Sequence, residues 1–80
     1  MYSIVWNHNK ASEDALDSSG YATVEDAVRE LGEIAAQLVR DSKVTDLEYH
    51  TNNATLGTLS LTNETGLSVY RIVREDRNND

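Results

Sequence analysis

The chain has 80 residues, no cysteine, and 14 acidic against 7 basic side chains, for a formal charge of −7. One domain of this size hides only about 60–65% of its unfolded surface on folding. Its core is therefore small, has no disulfide to hold it, and leaves little room beside it for a deep substrate pocket. The acidic balance disfavours nucleic acid and anionic membranes and speeds encounter with basic proteins, while also serving solubility.

The opening MYSIVWNHNK lacks the basic segment and long apolar run of a signal peptide. No apolar run approaches the ~20 residues of a membrane span. A soluble, cytoplasmic protein is expected. Residues 2–7 (YSIVWN) are β-branched and aromatic and predict a first strand, with Tyr2, Ile4 and Trp6 on one face. Residues 8–21 show no clear period and read as a loop ending at Ser18-Ser19-Gly20, with short extended pieces compatible with 14–16 or 21–22.

Residues 24–41 carry the one strong helical signal. Val24, Ala27, Val28, Leu31, Ile34, Ala35, Leu38 and Val39 recur at steps of three and four, which makes one apolar stripe. Thr23 suits the N-cap, with Asp26 completing an imperfect capping box. Glu25 and Asp26 suit the positive end of the helix dipole, and Arg40 and Lys43 the negative end. Gly32 costs about 1 kcal/mol against Ala at mid-helix; a close approach to a strand would explain it. The outer face holds Glu25, Arg29, Glu30, Glu33, Gln37 and Arg40.

Three strands follow, at about 44–51, 55–62 and 67–74. A three-residue loop at Glu64-Thr65-Gly66 places Gly66 in a left-handed position and pairs Leu61 with Val69. A three-residue loop at 52–54 pairs Leu47 with Leu59. This register puts Leu47, Tyr49, Leu59, Leu61, Leu67, Val69 and Val73 under the helix. The expected architecture is α+β, in the order β-α-β-β-β: one amphipathic helix on a four-stranded, mainly antiparallel sheet. Residues 1–74 form the single domain, and 75–80 a frayed polar tail. Two Asn-x-Thr triplets, at Asn53 and Asn63, read as turn chemistry.

The opposite face of this sheet would carry Asp46, Glu48, His50, Thr58, Ser60, Thr62, Ser68, Tyr70, Ile72 and Arg74. Asp46, Glu48 and His50 step along one strand face at i, i+2, i+4, about 7 Å apart at Cα, close enough for two to share an ion. A catalytic metal needs three protein ligands and a second shell, and His8 adds no known spacing, so no metal or cofactor is expected. No nucleophile elbow, phosphate loop, dinucleotide fingerprint or zinc-protease motif is present. Seven basic residues leave little for phosphate contacts.

The strand Ile4-Val5-Trp6-Asn7-His8, the helix TVEDAVRELGEIAAQL (residues 23–38) and the meander piece TLGTLSL (residues 55–61) together resemble small immunity proteins of bacterial polymorphic-toxin systems. The chain is shorter than is typical of them. The resemblance implies a cytoplasmic, non-enzymatic protein that binds a cognate toxin domain. In size, charge and layout the chain is also similar to phage anti-CRISPR proteins. The expected function is binding and inhibition of a basic protein partner through Asp46, Glu48, His50 and Tyr70, with Glu30 and Glu33 on the helix as a second surface. A metal-dependent enzyme built on the Asp-x-Glu-x-His stripe, and a module that self-associates through a sheet edge or through a Tyr70/Ile72 patch, are the competing classes.

Overall fold

The computed structural model describes residues 1–51 and 56–75. The architecture is α+β, but with one strand more than expected. The order is β1 (Tyr2–His8), β2 (Ala15–Tyr21), α1 (Val24–Asp41), β3 (Asp46–His50), β4 (Thr58–Asn63) and β5 (Gly66–Arg74). These form a five-stranded antiparallel sheet, ordered β2-β1-β5-β4-β3.

The added strand is β2, within the stretch read as a loop. The chain reverses through His8-Asn9-Lys10-Ala11, where Ala11 N–H donates to the His8 carbonyl (3.2 Å). Asn9 and Lys10 both hold positive φ, 55° and 58°, as the central pair of a type I′ turn does. Asn7 Nδ2 then ties the reversal together, donating to the Ala11 carbonyl (2.7 Å) and to the Asp14 carboxylate (3.0 Å). β2 pairs with β1 irregularly, with register shifts between Tyr2 and Ile4 and between Ile4 and Val5.

β2 and β3 are the two outer strands and run in the same direction, so α1 carries the chain across the whole sheet from one edge to the other. The helix starts where expected. The Thr23 side chain accepts a bond from Asp26 N–H at 3.1 Å. At the other end Ser42 N–H donates to the Leu38 carbonyl at 3.0 Å. Asn63 Nδ2 donates to Ser42 Oγ at 3.1 Å, which anchors this end to the β4–β5 turn.

That turn corrects the expected register. Asn63 pairs with Gly66, so the loop has two residues, Glu64 and Thr65, instead of three. The Asn63 side chain is the reason: its Oδ1 accepts from Thr65 N–H (2.9 Å) and Thr65 Oγ1 (2.7 Å), which tightens the reversal. The Asn63 triplet is thus turn chemistry, as read; the Asn53 triplet and the predicted turn at 52–54 lie outside the described residues. Leu61 now faces Ser68, and Leu59 faces Tyr70. A one-residue slip turns every side chain of a strand over. Ser68, Tyr70, Ile72 and Arg74 therefore lie on the helix side, and Leu67, Val69 and Val73 on the open side, the reverse of the expectation. β1 supports this choice by pairing Ile4 with Ile72 and Trp6 with Tyr70.

The core consists of Ile4, Ala27, Leu31, Leu59, Leu61, Tyr70 and Ile72. Tyr2, Trp6, Tyr21, Val28, Ile34 and Leu38 pack around it. Glu75, placed in the tail by the sequence reading, is tied to the sheet: its N–H donates to the Met1 carbonyl, and its carboxylate accepts from Ser3 Oγ and Gly20 N–H. The rest of that tail lies outside the described residues.

Candidate functional site

Two surfaces collect the residues singled out in the sequence. The first is β3, where all five residues are exposed. Its alternation is as expected, because Asp46, Glu48 and His50 pair with Thr62, Ser60 and Thr58 on the open face. His50 Nε2 lies 3.1 Å from a Glu48 carboxylate oxygen, an exposed contact between two neighbours on one strand face. Among the described residues no group of three or more His, Cys, Asp or Glu side chains converges to hold a metal ion. On the same face Arg71, which shares a row with Thr58, is paired with Asp14. Its charge is thereby offset, and β3 keeps an acidic character.

On the helix side, Leu47 and Tyr49 pair with Leu61 and Leu59, again on the expected face. They are not core residues, however: Leu47 is 42% and Tyr49 41% exposed. The expected Leu47–Leu59 pairing is displaced by two residues. The physical reason for the exposure is the position of the helix, which packs on β1, β2, β4 and β5 and stops short of β3. The gap is an apolar groove of about 200 Å³ with Val28, Gly32 and Ala35 on one wall and Leu47 and Tyr49 on the other. Gly32 has no close neighbour to accommodate: a Cβ built there would meet nothing within 4 Å. No strand among the described residues makes the close approach expected for it.

The second surface lies on the opposite flank of α1. Glu30, Glu33, Ile34, Gln37, Leu38 and Tyr70 line a groove of about 380 Å³. The expected register puts Tyr70 on the open face with Asp46, Glu48 and His50. The register correction instead puts it under the helix, 9% exposed, where it shares a groove with Glu30 and Glu33. Burial first, and the Asp17 carboxylate second, push the Tyr70 phenol above its ordinary value. Its ring packs on Trp6 (centroids 6.3 Å apart), which in turn stacks on His8 (5.8 Å). His8 Nδ1 lies 3.1 Å from Ser68 Oγ. The Trp6 indole nitrogen is buried without a hydrogen-bond partner among the described residues.

The sequence reading missed the apolar groove beside β3, and the signal for it was in Gly32. An isolated glycine inside a helical pattern costs stability against alanine, and Gly32 lines the groove wall that faces Leu47 and Tyr49. No helix among the described residues is long and apolar enough to cross a membrane. No family model, curated protein or solved structure matches the chain.

Proposed function

We propose that this chain is a non-enzymatic binding protein that inhibits a basic protein partner by covering its working surface. The carrying observation is β3. This outer strand exposes two carboxylates on one face and two large apolar side chains on the other, on a chain of formal charge −7. Negative potential accelerates the encounter, and desolvation of Leu47 and Tyr49 slows dissociation. Among partners of this chemistry, a toxin domain is the first choice, in line with the resemblance to immunity proteins. A nucleic-acid-binding effector, inhibited in the manner of anti-CRISPR proteins, is the alternative.

The test is affinity capture from the native host with wild type and an Asp46→Lys/Glu48→Lys variant, at roughly 50 mM and roughly 300 mM salt. Both positions are exposed, so the variant keeps the fold. The expected result is one basic partner, identified by mass spectrometry, held by wild type at low salt and lost by the variant. Equal recovery by both removes β3 from the contact.

A second reading is favoured by the joint lining of the larger groove. Glu30, Glu33 and Tyr70 line it together, and a groove that combines carboxylates with an aromatic ring suits an arginine or lysine side chain. If this groove carries the contact, Glu30→Lys/Glu33→Lys abolishes capture and the β3 variant does not.

A further inference from the structure

The geometry points to strand addition as the mode of docking: an extended segment of the basic partner, alternating apolar and cationic side chains, pairs with the free edge of β3. This presupposes the basic partner proposed above and names the form it takes.

Four observations converge. β3 is an outer strand, so alternate residues turn their N–H and C=O groups away from β4, with no strand among the described residues to receive them. A sixth strand would satisfy these groups. Its side chains would alternate between the two faces of the sheet. On the helix side they meet the apolar groove between Val28, Gly32 and Ala35 and the pair Leu47 and Tyr49. On the open side they come beside Asp46 and Glu48. Apolar residues suit the first row and lysine or arginine the second, because opposite charges side by side on a sheet face stabilise it.

Gly32 supplies the fourth observation. It costs the helix about 1 kcal/mol, and its missing side chain leaves the groove wall open where a Cβ would touch nothing. The isolated fold gains nothing from that opening, whereas an incoming side chain does.

A second copy of the chain fits this edge less well than a basic strand. A two-fold pairing of β3 centred on Glu48 sets Asp46 against His50 but also Glu48 against Glu48, between two molecules of formal charge −7. Like charges directly opposite are destabilising. The other outer strand, β2, pairs with β1 in a broken register.

The experiment uses the full chain, isotopically labelled, and two capped eight-residue peptides of equal Val and Lys content. In one the residues alternate; in the other the valines follow helical spacing. The alternating peptide is expected to shift the resonances of β3, Val28, Gly32 and Ala35, to slow amide exchange at alternate β3 residues, and to bind about tenfold more tightly than the control, as a few cross-strand pairs supply. Gly32→Leu, which fills the groove, is expected to weaken that binding about tenfold while its thermal midpoint stays at or above wild type. Equal binding of the two peptides, without β3 protection, overturns strand addition and leaves the charge-based reading standing. No binding of either peptide at low salt overturns both. Concentration-dependent shifts at β3 without peptide would assign the edge to a second copy and overturn the proposal.

Discussion

Replacing Gly66 by alanine should be among the most damaging single changes at the surface of this protein. Gly66 opens β5 at φ +124°, a region that side chains rarely enter. A Cβ there would lie 2.8 Å from Asn9 Cγ and closer still to Asn9 Oδ1. Asn9 cannot simply yield, because its side chain joins the β1–β2 reversal to the β4–β5 turn. Oδ1 accepts from Leu67 N–H at 3.0 Å, and Nδ2 donates to the Thr65 carbonyl at 3.4 Å. The backbone term is about 1–2 kcal/mol, and the two displaced hydrogen bonds contribute about 1 kcal/mol together or somewhat more. The sum, about 2–4 kcal/mol, lowers the thermal midpoint of a domain of this size by about 10–25 °C. Urea unfolding followed by fluorescence of Trp6, the single tryptophan, reads the change directly. A double-mutant cycle isolates the cause. In an Asn9→Gly background, which keeps the positive φ accessible, Gly66→Ala should retain only its backbone cost, leaving a coupling of about 1–2 kcal/mol. Additive effects within about 0.5 kcal/mol, or a Gly66→Ala variant as stable as wild type, would refute the reasoning.

Leu31, 1% exposed between helix and sheet, should cost about 2.5–4 kcal/mol when cut to alanine, whereas Leu47→Ser on the uncovered strand should cost about 1 kcal/mol or less in the same urea assay; equal losses would contradict the placement of the helix. Gly32→Ala should stabilise the chain by about 0.5–1 kcal/mol, since the new methyl meets no neighbour; a lower midpoint would mean the glycine is required by the fold. The folded Tyr70 value is raised by burial and then by Asp17. Its contribution to stability is therefore complete below about pH 10 and lost as pH rises through the folded value. Urea midpoints measured between about pH 8 and about pH 11 should fall more steeply for wild type than for Tyr70→Phe, and parallel curves would remove Tyr70 as a source of alkaline sensitivity. Calorimetric titration with zinc, manganese or nickel should give only heats of dilution, because among the described residues the acidic side chains of β3 do not converge with a third ligand; heat that disappears in Asp46→Ala would show otherwise.

The helix was legible because two signals agree on it, the apolar stripe and the Thr23 cap. β2 was not legible because ALDSSGY has neither alternation nor a burial requirement: it is an outer strand in which only Ser18 and Tyr21 are half-buried. Its turn also lacks the usual marker, since Asn9 and Lys10 take positive φ without a glycine. β5 was found, but its register was not, because both of its faces carry apolar residues: Leu67, Val69 and Val73 on one, Tyr70 and Ile72 on the other. The Asn63 side chain decides between them by shortening the turn, and Ile4 and Trp6 of β1 ratify the result. The candidate site suffered from that one residue. Asp46, Glu48 and His50 stand together on the open face as read, but Tyr70 left them for Glu30 and Glu33.

The apolar groove beside β3 follows from the proportions of the fold. Five strands about 4.8 Å apart make a sheet about 19 Å wide, while one helix with its side chains is about 10 Å across. An 18-residue helix, about 27 Å long, must also cross from one outer strand to the other, because β2 and β3 lie at opposite edges. It can cover the middle of the sheet but not both margins. At β2 the helix reaches the margin, and Tyr21 Oη donates to Ser18 Oγ at 2.8 Å. At β3 the sequence places leucine and tyrosine beyond the reach of the helix, each part-exposed, with Gly32 on the facing wall of the groove. For the isolated fold, alanine at 32 would be the more stable choice, while a polar residue at 47 or 49 would cost about 1 kcal/mol or less. The helix stability given up at Gly32 and the exposed surface of Leu47 and Tyr49 are what the proposed partner strand would recover, which is why Gly32→Leu is the informative substitution: it should separate folding from binding.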